Sequence, residues 1–285
     1  MITRLTLMIK IVIILKGLIQ AERKPAMYKI DQRKSKVMDM LLASDTVSVA
    51  EIAQRLEISL PTARRLCVLL AEENRAERTR GGLRRLPPGE STYSFDTLRN
   101  DHAEEKIAIA KYASSLVKSN QVVFLEAGTT LQHFAIALGE RIRNQEITNI
   151  VIFTNSLINL EILHPVQSNL QMIGGQYRSD RKDFVGYLSE LALKGLRFDY
   201  CFVGADAISL SDGVMAMDMD TVRFDAQLVT HAEKSVILAH SEKFRKHSLI
   251  SYVSASEVDC IITDNALDAS IAEAYRGRGV NLVTV

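Results

Sequence analysis

Apolar and polar positions in the stretch 46–82 repeat with the period of two short helices joined by a tight turn. Ser48 followed by Glu51 is a capping box, which predicts a helix beginning at Val49. The apolar positions of this helix follow the spacing of one buried face: Val49, Ile52, Ala53 and Leu56. Ser59 is a second N-cap ahead of Pro61, so a second helix should follow at once.

The residue pattern of the second helix predicts one buried apolar face and an exposed basic N-terminal end. Its apolar face comprises Ala63, Leu66, Leu69 and Leu70. From Leu60 to Leu86, seven arginines oppose three glutamates, although the 285-residue chain carries a net charge of only +1. Such a local basic excess indicates DNA binding by a helix-turn-helix with a basic wing. The residues predicted to bind DNA are Ser59, Thr62, Arg64, Arg65, Arg78, Arg80 and Arg84. The alternative is a small helical hairpin with a solvated charged face.

The flanks of this motif set the predicted domain bounds. Asp31 to Ala43 should form a first helix with Val37, Met40 and Leu41 in its core face. The cluster of helix- and strand-breaking residues at Leu86–Ser91 predicts a domain boundary. We therefore expect a DNA-binding domain over 30–88, a linker over 89–105 and a second domain over 106–285.

We expect residues 1–29 to be an N-terminal extension that begins at a start codon upstream of the natural one. The apolar run Leu5–Ile19 is interrupted by Lys10 and Lys16, so it is a poor membrane span. It also lacks a small-residue cleavage site for a signal peptide. An amphipathic membrane-surface helix stays open as an alternative. Met27 stands just before the first module helix.

From residue 106 the pattern alternates between helical periods and short continuous apolar runs. The predicted strands are Val122–Leu125, Ile150–Phe153, Leu170–Ile173, Tyr200–Val203, Val236–Ala239 and Ile261–Ile262. The predicted helices are Lys106–Lys118, Leu131–Arg141, Leu157–Leu163, Phe184–Leu196, Val222–Ala232 and Ile271–Arg278. This alternation predicts an α/β domain whose mostly parallel sheet has helices on both faces. The fold class is thus an all-α, winged-helix head followed by an α/β domain.

Small, polar or ionisable residues follow four of the predicted strands. Ligands of open α/β sheets bind beyond the carboxyl ends of the strands, and helix N-termini attract anions. A glycine or serine after a single strand is typical of an ordinary turn. Four such loops after four strands favour a shared anion-binding crevice. The predicted effector-binding residues are Glu126, Gly128, Thr129, Thr130, Thr154, Asn155, Ser156, Gly174, Gly175, Asp206 and Lys243.

The run PTARRLCVLLAEENRAERTRGG resembles the signature of the DeoR family of bacterial transcription regulators. Two departures stand in this region: Leu66-Cys67 replaces the acidic residue that usually follows the arginine pair, and Ile58-Ser59 replaces Val-Ser. The first bears on helix surface polarity and operator preference.

The second domain strengthens this resemblance. The matching segments are Gly128–Thr130, Thr154–Ser156, Gly174–Gly175, Gly204–Asp206, Lys243-Phe244 and Ile262–Asp264. The resemblance implies a sugar-isomerase-like fold, similar to ribose-5-phosphate isomerase, used as a sensor of phosphorylated sugars. Glu126 stands where Asp is usual, and His240 stands where an Asp is expected. We interpret His240 as a satisfied structural histidine, with pairing to a phosphate as the alternative.

The resulting functional hypothesis is a cytoplasmic, nucleoid-associated DNA-binding regulator, a repressor of a carbohydrate catabolic operon released by a phosphorylated sugar. We expect a homodimer or homotetramer on double-stranded DNA, no membrane partner, no cofactor and no metal. The three cysteines are far apart, which suits a reducing cytosol and gives no disulfide or zinc framework.

The alternative is a sugar-phosphate isomerase with a vestigial head. Its acid/base groups would come from Asp206, Asp218, Asp220, Lys234 and Lys243. The sequence shows no poised pair among them and no Walker A or Rossmann glycine fingerprint, so we expect no catalytic residue and no enzyme.

Overall fold

The computed structural model describes residues 30, 33–34, 36–38, 40–41, 44–72, 76–85, 94–167 and 169–285. The chain divides between Thr97 and Leu98 into two units, called here the head and the sensor unit. The expected extension 1–29 and the breaker cluster Leu86–Ser91 lie outside the described residues.

The head combines helices with a small antiparallel sheet. Its described residues between 30 and 41 are helical. Its further elements are β1 (Thr46–Ser48), α1 (Val49–Arg55), α2 (Leu60–Glu72), β2 (Glu77–Arg78) and β3 (Gly82–Arg84). The strands pair antiparallel in the order β1-β3-β2. The head is therefore a helix-turn-helix with a β-wing.

Local sequence signals explain why α1 and α2 begin where they do. The Ser48 side chain accepts a hydrogen bond from the Glu51 amide, and the Glu51 carboxylate accepts one from the Ser48 amide at 2.7 Å. This confirms the predicted capping box. Ser59 Oγ in turn accepts the amide of Thr62 at 3.4 Å at the start of α2.

The head core contains most of the predicted apolar positions. Buried residues include Val37, Met40, Leu41, Ile52, Ala53, Ala63, Leu66, Cys67, Leu70 and Leu83. Leu69 is half-buried rather than buried. Leu66 and Cys67 are 3% and 2% exposed, so neither side chain belongs to the exposed surface of the helix.

The sensor unit is an α/β domain. Its helices are α4 (Ala103–Leu116), α5 (Thr129–Arg143), α6 (Leu157–Leu163), α7 (Tyr187–Leu193), α8 (Met219–Thr230) and α9 (Ala269–Arg276), and a short α3 (Phe95–Leu98) spans the unit boundary. Its main-sheet strands are β4 (Val122–Leu125), β5 (Val151–Thr154), β6 (Leu170–Met172), β9 (Phe198–Val203), β12 (Ala232–Leu238), β14 (Cys260–Thr263) and β15 (Leu282–Thr284). These seven strands are all parallel, in the order β15-β14-β12-β9-β4-β5-β6.

Side chains of the main strands alternate between two cores, one on each face of the sheet. On β4, Val123 and Leu125 pack with Ile109 of α4 and Phe134 of α5. Phe124 between them packs on the other face, in the cluster that includes helices α7, α8 and α9. The predicted sheet with helices on both faces is thereby confirmed.

The structure differs from the sequence expectation in two places. The predicted helix Phe184–Leu196 is wrong at its start, because Asp183–Val185 forms β8 and pairs antiparallel with β7 (Gln176–Arg178). A second antiparallel sheet was missed: β10 (Ala207–Ser209), β11 (Gly213–Ala216) and β13 (Ile250–Val253).

Gly82 offers a test of how the wing is held. A Cβ added at Gly82 would lie 2.0 Å from the Val47 carbonyl oxygen, whereas one at Gly81 would meet nothing within 4 Å. Because the close atom is backbone of the paired strand, Gly82→Ala should destabilise the head by about 3 kcal/mol or more. Gly81→Ala is the matched control and should change stability by less than about 0.5 kcal/mol. Scanning calorimetry of the full chain measures both, and equal effects would contradict this packing.

Candidate functional site

The exposed start of α2 carries two adjacent arginines. Arg64 and Arg65 are exposed and form no ion pair or hydrogen bond within the described part of the chain. Thr62 is half-buried, and its hydroxyl lies 2.8 Å from that of Ser59. Ser59 and Thr62 thus organise the first turn, and the arginines are the groups free to reach a partner.

The wing contributes basic residues of two kinds. Arg78 and Arg80 are exposed, and no partner for either guanidinium occurs in the described residues. Arg84 instead forms an ion pair with Glu77 across the wing strands at 2.5 Å. Arg78 and Arg80 are therefore available to phosphates, whereas Arg84 is already engaged.

In the sensor unit, the loop after β4 presents two unengaged hydroxyls at a helix N-terminus. Gly128 is the N-cap of the 15-residue helix α5, and a Cβ there would meet only a Leu131 methyl group, at 3.7 Å. Thr129 and Thr130 are 8% and 7% exposed, and their hydroxyls form no hydrogen bond within the described residues. The helix N-terminus and these hydroxyls suit an anion.

The polar groups of the loop after β5 are mostly hydrogen-bonded within the protein. Thr154 Oγ1 accepts the Ser156 amide at 3.1 Å, and Ser156 Oγ caps α6 by accepting the Asn159 amide at 3.2 Å. Asn155 Nδ2 donates to the Phe184 carbonyl at 3.2 Å, while its buried Oδ1 has no partner in the described part. Most polar groups of this loop are therefore engaged within the protein, and Asn155 Oδ1 is the exception among those described.

The two glycines after β6 play different parts. A Cβ at Gly175 would lie 2.0 Å from Ser189 Oγ and 2.6 Å from the Val185 carbonyl oxygen. Gly174 has no atom within 4 Å of such a Cβ, and its carbonyl accepts Ser189 Oγ at 2.8 Å. Gly175 is thus required for packing against α7, and only Gly174 has an open face.

Two arginines that the sequence reasoning missed organise the acidic residues of this edge. Arg178 donates to both carboxylate oxygens of Asp183, at 2.8 and 2.5 Å, and to Asp218 at 2.7 Å. Burial disfavours the charged form of Arg178, but these carboxylates outweigh it and raise its pKa. Arg181 contacts Asp206 at 3.3 Å, and Asp206 also accepts the Met217 amide at 2.9 Å. Arg178 and Arg181 lie on the hairpin formed by β7 and β8, and not in a loop that follows a predicted strand. The sequence pattern therefore gave no sign of their role.

The loop after β12 carries Lys243 and His240. Lys243 is half-buried and forms no ion pair within the described residues. Burial lowers the pKa of Lys243, and Asp206 opposes this shift. Burial and the charges of Lys243 and His102 lower the pKa of His240 to about 3, so this ring is neutral. Its buried Nδ1 has no partner in the described part, which corrects the expectation of a satisfied histidine.

Two buried acids lie beneath these loops. Glu126 Oε2 accepts the Gly204 amide at 3.2 Å, and Asp225 is 2% exposed with its Oδ1 unpartnered among the described residues. Burial, together with nearby carboxylates, raises the pKa of both Glu126 and Asp225. Tyr252 donates to the Gly204 carbonyl at 3.1 Å from below. The loop Gly204–Asp206 therefore lies next to acids whose charged forms are disfavoured by burial.

Comparison with known proteins gives two family matches. Residues 33–88 match the DeoR-like helix-turn-helix domain, and residues 101–265 match the DeoR C terminal sensor domain. The chain belongs to the DeoR family. It is a DNA-binding transcription regulator, and DeoR membership supports the expectation that it is not an enzyme.

Curated relatives within the DeoR family align over nearly their whole length. The Lactococcus lactis lactose phosphotransferase system repressor is 33% identical over 248 residues, which is 86% of this chain and 94% of the relative. The regulator GlpR of Haloferax volcanii is 29% identical over 254 residues, 88% and 96% of the two chains. The Haemophilus influenzae L-fucose operon activator is 27% identical over 240 residues, 84% and 93%.

The isomerase alternative gains no support from the structure of this DeoR chain. Lys234 lies near the start of β12 and Lys243 beyond its end, and Asp218 is engaged by Arg178. The ribose 5-phosphate isomerase of Methanocaldococcus jannaschii aligns over 50% of this chain and 55% of its own, at 20% identity. Its TM-score of 0.39 is too low to carry a functional conclusion.

The length and hydropathy needed to cross a bilayer are not reached by any helix in the part of the chain that the structure describes.

Glu126 provides a pH test of the buried acids. Burial raises its pKa from 4.5 to about 8, so the folded state keeps a proton that the unfolded state loses. The free energy of unfolding should therefore decrease as pH rises from 4.5 towards 8. Glu126→Gln keeps an acceptor for the Gly204 amide but cannot ionise, so this decrease should shrink by about 1 kcal/mol or more. Urea unfolding at several pH values measures it, with exposed Glu140→Gln as control. Parallel pH profiles of wild type and Glu126→Gln would contradict the assignment.

Proposed function

We propose that this DeoR protein represses a carbohydrate catabolic operon and leaves its operator when a phosphorylated sugar binds the sensor unit. The observation that carries the proposal is the pair of unengaged hydroxyls of Thr129 and Thr130 at the N-terminus of α5. The name of the lactose phosphotransferase system repressor supports both carbohydrate response and repression. The L-fucose operon activator is a relative whose name indicates activation. Repression by this chain is therefore a proposal of its own.

The crevice chemistry favours a phosphate over a neutral sugar. Thr129 and Thr130 supply hydroxyl donors, α5 supplies backbone amides and its dipole, and Lys243 supplies a positive charge. Gly128 leaves room for a close approach. The sugar hydroxyls lie towards Gly174 and Asp206, while Glu126, Gly175 and the loop Thr154–Ser156 maintain the shape of the crevice.

DNA recognition falls to the head. Arg64 and Arg65 at the start of α2 read base edges in the major groove, supported by Ser59 and Thr62. The wing arginines Arg78 and Arg80 contact backbone phosphates, and Arg84 does so only if it leaves Glu77. Two heads on one duplex raise affinity and set the half-site spacing, so the active species is a dimer or tetramer.

The head arginines can be tested by binding to an operator selected from a random-sequence DNA library. Arg64→Ala or Arg65→Ala should weaken specific binding by about 1–3 kcal/mol, because each removes a base contact. Arg80→Ala should weaken binding to all sequences and lower the salt slope by about one. Arg84→Ala should have a smaller effect than Arg80→Ala, since Arg84 is paired with Glu77. Exposed Arg143→Ala in the sensor unit is the control. Unchanged anisotropy titrations for Arg64 and Arg65 variants would overturn this reading.

The effector can be tested by calorimetry with ribose 5-phosphate, glucose 6-phosphate, fructose 1-phosphate, glycerol 3-phosphate and their unphosphorylated parents. At least one phosphorylated compound should bind about tenfold or more tightly than its parent, a difference of about 1.4 kcal/mol. Thr129→Ala with Thr130→Ala should lose this preference and still bind DNA. Exposed Thr148→Ala, which precedes β5 at the opposite sheet edge, should retain it. Equal affinity for phosphorylated and free sugars would refute the phosphate site.

A further inference from the structure

Helix α7 has its polar and apolar sides reversed. Ser189 and Glu190 lie on its buried side. Its exposed side is apolar and is called here the α7 face, which consists of Tyr187, Leu188, Leu191 and Ala192. Tyr187 and Leu188 are 68% and 65% exposed. A surface helix normally buries its apolar stripe and exposes its polar side, so this arrangement indicates a face that another surface covers.

Hydrogen bonds on the buried side fix the orientation of α7. Ser189 Oγ donates to the Gly174 carbonyl oxygen at 2.8 Å. Glu190 Oε2 accepts from Arg223 at 2.9 Å and from Gln227 Nε2 at 3.3 Å, and both donors belong to α8. A rotation of α7 that buried its leucines would break all three of these bonds. The α7 face therefore stays exposed in a single chain.

The β7–β8 hairpin extends the apolar surface. Tyr177 on β7 is 43% exposed, and its ring packs against that of Phe184 on β8, with centroids 5.2 Å apart. Gly186 alone separates β8 from α7, and a Cβ at Gly186 would lie 3.8 Å from Gln176 Cβ. The start of α7 thus lies against the start of β7, and Tyr177 adjoins the α7 face.

The exposed apolar area suits a contact between two copies of the chain. The α7 face and Tyr177 together expose roughly 400 Å² of mostly apolar surface, a size typical of the largest patch on a monomer. Two such patches facing each other would bury roughly 800 Å², which is the apolar share of an interface of about 1,200 Å². That total reaches the range of specific, stable interfaces.

The distribution of charge favours a second copy as the partner. A two-fold contact brings the same surface to both sides, so charged residues inside it would repel their own copies. The α7 face and Tyr177 carry no charged side chain. Exposed Asp180 in the turn between β7 and β8, and exposed Lys194 directly after α7, give the rim both signs of charge. Nucleic acid would instead require basic side chains within the patch.

We propose that two copies of this chain associate through the α7 face and Tyr177 of their sensor units, around a two-fold axis. The inference rests on the proposed function, because recognition by two heads on one duplex requires two joined chains. It assigns the joining surface to the sensor unit, on the side of α7 that faces away from α8.

The test compares the assembly of full-length wild type, Leu188→Asp and Leu249→Asp by sedimentation velocity over a dilution series. Leu249 is 72% exposed and precedes β13, outside the patch, so it is the matched control. Leu188→Asp should weaken the contact about 100-fold or more, because a two-fold interface buries the substitution twice. The size of its assembly should therefore halve at concentrations where wild type and Leu249→Asp remain intact.

Operator binding separates this proposal from the proposed function. Leu188→Asp should also weaken operator binding, since its heads are no longer joined. If Leu188→Asp halves the assembly but binds operator as wild type does, the interface stands and the requirement for two joined heads fails.

Photo-cross-linking identifies what covers the patch without disrupting it. Tyr187 is replaced by p-benzoylphenylalanine in the full chain, and the products are mapped by mass spectrometry. The expected product has twice the mass of the chain and joins position 187 to residues 176–194 of a second copy. A cross-link from position 187 to the head or to residues 1–29 of the same chain would overturn the proposal. A monomeric wild type, or a Leu188→Asp variant that associates within about twofold of wild type, would overturn it as well.

Discussion

The sensor unit depends on one constraint, the parallel direction of all seven strands in its main sheet. Parallel strands all end at one edge, so loops distant in sequence must meet there. Glu126 and Gly204 are 78 residues apart and are joined by a hydrogen bond at this edge. The helix N-terminus at Thr129 and the lysine at Lys243 are brought to the same edge by the same constraint. The meeting of these loops at one edge is therefore a consequence of topology before it is a consequence of any single residue.

The charged residues at this edge of the sheet fall into groups with different electrostatic environments. Arg178 and Arg181 neutralise Asp183, Asp206 and Asp218 at close range, so these acids form a structural network. Burial penalises the charged forms of Glu126 and Asp225 beneath it and raises both pKa values. Lys106 and Lys243 have no carboxylate within ion-pair distance among the described residues. Lys243 thus brings a positive charge without an ion-pair partner among the described residues to the loop after β12, which favours an anion there.

Periodicity and capping signals in the sequence were sufficient for the main elements. The Ser48–Glu51 box located α1, a continuous apolar run located the strand Val122–Leu125, and the helical pattern located the helix Leu157–Leu163, the last two to the residue. The β7–β8 hairpin was missed because three-residue strands leave no period, and their pairing is set by the contact of Arg178 with Asp183. Gly174 and Gly175 look equivalent in sequence, and only tertiary packing against Ser189 separates them. The burial of Lys106 depends on the packing of α4 against α5, β12 and β14, which the helical period alone does not show.

The central claim is that DNA binding by the head and phosphate binding by the sensor unit are coupled in one protein. Such coupling is reciprocal in free energy, so one measurement tests it directly. The affinity of the best-binding sugar phosphate is measured by calorimetry on the free full-length protein and on the protein saturated with its selected operator. The account predicts that operator weakens sugar-phosphate binding by the same factor as sugar phosphate weakens operator binding, about fivefold or more. Identical sugar-phosphate affinities for the free and operator-bound protein would contradict it.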